Sequence, residues 1–460
     1  MATATRPAPA APDAVVAVGR PLPPHAGGSR HEGAPHGAER PWWGGAGALS
    51  SLLVLGALFP EPVLRDAETG GAMAGVAFVR PLAYTLIAPV STSLDALALL
   101  SVRQHISVVF VGLVAFAVWR ARREAPGGGR LRIVLREGAW GLAVLAAVFV
   151  VYCAASLAPR PMAALVVHDP DLVRVDFHAH TGASHDGRAG FDAERARSWH
   201  RDGGFDLAYV TDHGTYRGVQ PGVARNPRRA GDGVVLLSAV EAWSGGEHLN
   251  VLGATAADRD FLTHDEQLDE GAIARAVAAG RREPVFIETV PGFLDTLLLG
   301  RNGGLPGRAM HRVSAIELSD AAPRGFEQTD STYERVLRLA DSLNLAVVAG
   351  SDNHGWGRTA AAWSLVVVPG WRALPPDSLG RLVEARIRVE RRTAVRVVER
   401  GRPRTIRGAA MLLNAPIAVW HHFASLSLAD RIAWLAWAWG LAVAARLVRR
   451  RRRAPALRVV

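Results

Sequence analysis

The stretch Val173–Gly187, VRVDFHAHTGASHDG, holds three histidines and two aspartates in fifteen residues. Imidazole and carboxylate are the side chains that bind zinc, manganese or iron where thiolate is absent. In an extended segment the side-chain period of two places Asp176, His178 and His180 on one face, with Val175, Phe177 and Ala179 on the other. Two imidazoles at that spacing can share one ion. Further along, VTDHG supplies His213, with Asp212 beside it as a partner able to orient an imidazole. AVEAW and GEHLNVLG then supply Glu241 and His248, and VVAGSDNHG supplies Asp352 and His354. Each fragment alone also suits a turn or a helix cap. Four of them in order, each closing an apolar run, point to one shared site.

Those side chains need elements to carry them. Short apolar runs (LAYVT, GVVLLSAVE, EPVFIE, SAIELS, LAVVAGSD) alternate with helical stretches (DAERARSWHRDGG, AIARAVAAGRR, TYERVLRLADSLN). This alternation predicts an α/β fold of parallel strands with crossover helices, as a barrel or an open sheet, over residues 161–407. Polar residues gather where each run ends, which in a barrel is the C-terminal face that carries chemistry.

The remainder reads as membrane. Residues 1–40 are rich in Pro, Ala and Gly without apolar periodicity and predict a disordered arm. An N-terminal membrane region is expected over 41–160, with about three or four spans: Trp43–Phe59, His105–Trp119, Gly138–Ala158 and, less clearly, Ala72–Ser101, which contains Arg80, Pro81, Pro89 and Asp95. The loop Arg120–Arg136 holds six Arg against one Glu, and the span Ile432–Val448 runs into Arg449–Arg453. The positive-inside rule puts both Arg clusters in the cytoplasm and the segment between the spans outside. Residues 408–460 form a C-terminal membrane region, in which Gly408–Ala429, broken by Asn414, Pro416, His421 and His422, is expected to be interfacial or re-entrant. The membrane half shows no paired intramembrane charges and reads as an anchor. The net charge of +11 comes from Arg alone, as the sequence has no Lys, and does not favour nucleic acid as partner over the lipid bilayer. The one cysteine, Cys153, excludes both a disulfide framework and a thiolate metal site.

The motifs DFHAH, SHDG, TDHG, VE, HLNVLG and GSDNH, taken together over Val173–Val368, resemble the polymerase and histidinol phosphatase (PHP) superfamily. The resemblance implies a distorted seven-stranded β/α barrel holding two or three divalent ions. It implies that His178, His180, Glu241 and Asp352 hold one ion, that Glu241 bridges to a second bound also by His248, and that Asp186, His213 and His354 hold a third. His185 competes with Asp186 for that last place. The superfamily's further His in an HP pair is absent: the sequence reads VFIETVPG, with Val290 before Pro291, and Glu288 is the candidate to take its part. Asp212 and Glu241 are the groups expected to take part in catalysis.

Such a centre activates water and stabilises the entering and leaving oxygens of phosphoryl transfer. The expected function is therefore that of a membrane-anchored metal-dependent phosphoesterase, with zinc, manganese or iron as cofactor and a phosphate ester as substrate. The alternatives are a metal-binding sensor with reduced catalysis, or a carboxylic or carbamate esterase on the same site. Arg217, Arg228, Arg308 and Arg358 follow strand-end motifs and are candidates to grip phosphate, Arg217 and Arg358 foremost. Glu317, Asp320 and His311 are placed near the pocket without a role. Nothing in the sequence speaks to oligomeric state.

Overall fold

The computed structural model describes residues 42–122, 130–244, 247–289 and 313–453. The expected disordered arm, and the readings that fall on Val290, Arg308 and His311, lie outside them. The described chain opens with helix α1 (Gly44–Leu58), the short strands β1 (Leu64–Asp66) and β2 (Val76–Val79), and the short helices α2 (Leu82–Leu86) and α3 (Ala88–Ala98). Two long helices follow, α4 (Val102–Ala121) and α5 (Arg130–Leu157). Then come β3 (Ala164–Val167), β4 (Leu172–Ala179), α6 (Ala193–Gly203), β5 (Leu207–Val210), α7 (Gln220–Val223), β6 (Val235–Ser244) and β7 (Glu247–Leu252). The second half of this body holds α8 (Glu270–Ala278), β8 (Val285–Glu288), β9 (Val313–Asp320), α9 (Asp330–Leu343), β10 (Ala346–Gly350), β11 (Ala362–Val367), α10 (Pro376–Glu390) and β12 (Val395–Arg400). Helices α11 (Asn414–Ala424) and α12 (Leu428–Arg453) complete it.

The five apolar runs form β5, β6, β8, β9 and β10, and the three helical stretches form α6, α8 and α9. Local signals set their ends. Asp192 caps α6 at its N-terminus and the left-handed Gly204 at its C-terminus, while Thr329 and Asn344 do the same for α9.

The sheet departs from the expected seven parallel strands. Among the described residues ten strands are joined in the order β1-β12-β11-β4-β5-β6-β7-β8-β9-β10, and the sheet is mixed. β4 to β6 are parallel, β7 runs antiparallel to both β6 and β8, and β8 to β10 are parallel again. The reversal follows from chain length, since β7 starts three residues after β6 ends and a parallel crossover needs a dozen or more. β11, β12 and β1 extend the sheet beyond β4 by antiparallel pairing. β1 and β2 lie in the segment expected to be wholly membrane, where the charges of Arg65, Asp66 and Arg80 oppose insertion. The sheet curls, so that the chain just after β10 returns to β4: the Asp352 N–H donates to the His178 carbonyl (2.8 Å) and the His180 N–H to the Asn353 carbonyl (3.1 Å). Inside the curl the buried side chains of Val175, Phe177, Tyr209, Leu237, Val251, Ile287 and Val347 belong to one core, with Phe177 stacked on Tyr209.

Among the described residues three helices are long and apolar enough to cross a membrane: Val102–Ala121, Arg132–Ala154 and Leu428–Arg451. α1, at 15 residues, is shorter, and residues 72–101 form a strand and two short helices instead of a span. Leu142, Phe149, Val151 and Leu441 stand more than half exposed, an apolar surface that water does not favour. Arg431 of α12 is buried and donates to the carbonyls of Leu53 and Gly56 on α1 and of Ala424 and Leu426 at the end of α11, tying the three helices together.

The helical layer is joined to the sheet through Asp95 of α3. Its buried carboxylate accepts from the Tyr84 hydroxyl (2.8 Å), the Thr359 hydroxyl (2.8 Å) and Arg400 of β12 (2.7 Å), and pairs with Arg160 (2.8 Å). Removing one partner of a buried ion pair leaves the other charge desolvated and costs about 3–5 kcal/mol. Asp95→Ala is therefore expected to lower the unfolding midpoint of the full chain in detergent markedly, with Asp95→Asn between it and wild type. Unchanged melting in both variants would remove Asp95 as the joint.

Candidate metal centre

The strand ends and the turns after them place the ligand-type side chains. His178 closes β4 and His180 follows it, held by the hydrogen bond to Asn353. After β5 the chain continues beside β6, where the Gly214 N–H donates to the Glu241 carbonyl and His213 bridges to Glu241. Because β7 is reversed, its second residue, His248, falls at the same end of the sheet as the C-termini of its neighbours, paired across the ladder with Trp243. Asp352 follows β10 in the left-handed region (φ 45°), a conformation costly for most residues and tolerated best by Gly, Asn and Asp.

Four atoms from three separate parts of the chain converge. His178 Nε2 lies 3.0 Å from His180 Nε2, 3.0 Å from Glu241 Oε2 and 3.4 Å from Asp352 Oδ1. His180 Nε2 lies 3.3 Å from Glu241 Oε2 and 3.2 Å from Asp352 Oδ1. Donors about 2.0–2.2 Å from a four-coordinate ion sit about 3.3–3.6 Å apart. Both histidines and Glu241 are buried and Asp352 is half-buried, and this set around one point fits such an ion. The other oxygen of Glu241 meets His248 Nδ1, while His213 Nδ1 is 3.6 Å from Oε2. Asp186 Oδ2 lies 3.1 Å from His354 Nε2 and 3.6 Å from His213 Nε2, and the His354 ring stacks on His180 with centroids 4.1 Å apart. Among the described residues the groups whose ligand atoms lie close enough to hold a metal are His178–His180–Glu241, His213–Glu241–His248, His180–His213–His354 and His185–Asp186–His213.

The electrostatics follow from burying carboxylates beside imidazoles. Burial opposes a charge on His178, but the Glu241, Glu317 and Asp352 carboxylates outweigh it and hold its pKa well above the usual value. His180 is raised to about 9, its burial likewise overcome by hydrogen bonds to Asp352 and Glu241. Glu241 is held well below the carboxylate range: burial would raise it, yet the His178 charge and the hydrogen bonds from His178, His180 and His248 prevail. His213 moves the other way, to about 4, chiefly through burial.

Other expected site residues have different surroundings. Asp212 does not orient an imidazole; its carboxylate accepts from the Thr181 N–H (2.6 Å) and hydroxyl (2.8 Å) and so pins the turn leading to Asp186. Asp176 leaves the ligand cluster for a buried pair with His200 on α6 (2.8 Å). Glu288 is buried at the end of β8, outside the four groups. Arg217 and Arg228 are exposed, and Arg358 is committed to Asp202 (2.8 Å) and to the Arg160 carbonyl (3.1 Å). Glu317 on β9, left without a role by sequence reasoning, lies fully buried with both oxygens 3.3 Å from His178 Nδ1, where it fixes the ring so that Nε2 faces the centre. A carboxylate near the end of the apolar run SAIELS was its only signal. Gly350 makes room for this contact: a Cβ there would lie 2.1 Å from Glu317 Oε1 and 2.3 Å from His178 Cβ.

No protein-family model and no curated protein matches the chain. Among solved structures it is similar to PsfC from Pseudomonas syringae (16% identity, 55% of this chain and 98% of that one, TM-score 0.35). It is also similar to the lesion-specific endonuclease Q from Pyrococcus furiosus (12% identity, 43% and 53%, TM-score 0.32). A third likeness is to a protein from Bifidobacterium adolescentis named for metal-dependent phosphoesterase activity (16% identity, 45% and 94%, TM-score 0.27). At these scores the overall likeness bears no weight, and the reading of the site rests on its own side chains. In their type and order those side chains resemble the PHP superfamily.

Two outcomes are expected. Gly350→Ala and Glu317→Gln each leave every ligand atom in the chain but disturb the His178 ring. Metal affinity should fall by roughly 10–100-fold in Glu317→Gln, the effect of losing a ligand's outer partner, and further in Gly350→Ala; metal titration with a competing chelator measures both. Because His178 and His180 are raised and His180 loses its proton only near pH 9, a metal ion must displace protons at neutral pH. Affinity should therefore rise with pH through neutrality and beyond, with proton release seen by calorimetry in buffers of different ionisation heat; a flat profile would contradict this.

Proposed function

We propose that the chain is a membrane-anchored, metal-dependent phosphoesterase. The observation that carries this reading is the convergence of His178, His180, Glu241 and Asp352 on one buried point. In this reading those four hold one ion, Glu241 and His248 share a second, and Asp186, His213 and His354 take a third, two or three zinc, manganese or iron ions in all. His185 is the alternative to Asp186, and Glu288 a further donor for the second ion. When bound, such ions supply a water of lowered pKa and neutralise charge on the phosphoryl oxygens. The chain's own groups position the rest. Glu317 fixes the His178 ring, Asp212 holds the turn at Thr181, and Glu241 presents one oxygen to each of two histidine sets. Asp212 is thus a positioning residue, and Arg217 is the cation nearest His213 in sequence, with no side-chain partner among the described residues that would keep it from phosphate.

The strands β4 to β10 constitute the distorted barrel of this reading, with the other strands an extension of its edge. The proposed organisation is a membrane region over 41–160, the hydrolase over 161–407 with β1 and β2 completing its sheets, and a membrane region over 408–460. The ends of α4 and α5 near the sheet, opposite their Arg-rich loop, support a hydrolase domain on the extracytoplasmic side. A nucleic-acid substrate is accordingly not proposed.

The full chain is the material to test, since β1 pairs with β12 and β2 with β3. Metal analysis should find two or more ions per chain, with turnover on a panel of phosphomonoesters and phosphodiesters. Both should be lost in the His178→Ala, His180→Ala double variant, and turnover should cease on chelation and return with metal. Stoichiometric metal without turnover on any ester would favour a binding or sensing protein, and a folded chain without metal would remove the site. For location, a reporter active only outside the membrane is expected to work when fused after Arg407 and to be silent in the Arg120–Arg136 loop; the reverse pattern would place the hydrolase in the cytoplasm.

A further inference from the structure

Between the candidate metal centre and the helical layer lies a cavity of about 610 Å³, within the range of about 300–1,000 Å³ typical of small-molecule sites. Its lining includes Asp352 and His354 of the ligand set. It also includes Ala98 of α3, Val102 at the start of α4, and Cys153 and Leu157 in the last turns of α5. α4 and α5 contain two of the three helices among the described residues that are suited to crossing a membrane, so this apolar lining lies where those helices would emerge from a bilayer. The cations along the cavity divide in kind. Arg160 is paired with Asp95 and Arg358 with Asp202. Arg324 lines the same cavity, is exposed, and has no carboxylate partner among the described residues.

A small, fully polar ester gains nothing from an apolar wall that ends at membrane level. An amphiphile gains at every carbon, since each methylene moved from water onto such a wall improves binding roughly three- to four-fold. We propose that the substrate is a phosphate ester carried on a lipid. Its phosphate sits at the metal centre within reach of Arg324, and its alkyl chain lies along Ala98, Val102, Cys153 and Leu157 toward the bilayer. The identity of the head group rests on the phosphoesterase reading, whereas the alkyl-chain wall is an independent feature of the cavity. In the reaction a water oxygen forms the new bond to phosphorus and the bond from phosphorus to the lipid's alcohol oxygen breaks. That oxygen takes up one of the water's protons, and the other stays on the released inorganic phosphate.

The test uses the metal-loaded full chain in lipid nanodiscs, with dodecyl phosphate and ethyl phosphate as esters and the matching phosphonates as ligands that are not hydrolysed. The expected kcat/KM for the dodecyl ester is at least about tenfold that for the ethyl ester. Cys153→Trp and Ala98→Phe, which fill the wall from two different helices, should collapse this ratio toward one. Leu142→Trp, on an outward face of α5, should preserve it. Equal turnover of the two esters by the wild type, or a ratio that survives both wall variants, overturns the proposal while leaving the phosphoesterase reading intact. If neither ester is hydrolysed, that reading fails, and phosphonate binding still decides the wall. Tighter binding of dodecyl than ethyl phosphonate, lost in both variants, supports it, and equal binding overturns it.

Discussion

Two imidazole nitrogens 3.0 Å apart, each within 3.0–3.4 Å of an oxygen of Glu241 and of Asp352, form the constraint on which the rest of the site depends. Such a set is costly without a cation at its centre, and in the metal-free protein protons supply that charge, which is why His178 and His180 are raised while Glu241 is lowered. The surrounding residues hold the set together. Glu317 grips the far nitrogen of His178, Gly350 leaves room for that carboxylate, and Asp352 accepts a left-handed backbone to bring its side chain in. The strain at Asp352 is sustained by the hydrogen bond from its N–H to the His178 carbonyl, which also joins the two ends of the curled sheet.

Sheet topology explains why residues so far apart in sequence share this site. Strand ends gather at one face of a parallel sheet, and β7, which runs against its neighbours β6 and β8, contributes from its start instead of its end. His248 therefore arrives from the opposite chain direction at the same face as Glu241. The curl brings β10 beside β4, so Asp352 and His354 close a ring that β4 opened. Asp186, Asp352 and His354 line the cavity that leads to the helical layer, and Asp186 is more exposed than the other two.

That layer is bound to the sheet by polar contacts. Asp95 gathers Tyr84, Thr359, Arg160 and Arg400, and Glu327 takes both the backbone N–H and the guanidinium of Arg103 at the start of α4. Paired charges of this kind specify one docking geometry more strongly than apolar contact does, because any other arrangement leaves a buried ion unpaired. The ends of α4 and α5 are thereby held at the wall of the cavity that begins at the candidate centre.

Much of this was readable from the chain. The alternation of apolar runs and helical stretches located the strands and helices of the body, because burial pattern and capping residues act over a few neighbours. The types and order of His178, His180, His213, Glu241, His248, Asp352 and His354 pointed to a site of nitrogen and oxygen donors. Long apolar helices and their Arg-rich flanks were equally plain. What only the tertiary structure decided concerns partners distant in sequence: the pairing of β1 with β12, the count of ten strands, the commitment of Asp212 to Thr181, of Asp176 to His200 and of Arg358 to Asp202, and the role of Glu317. A side chain's type states what it can bind, but which of several suitable partners it meets is settled by strand register and by the curl of the sheet, and these are properties of the whole packed core.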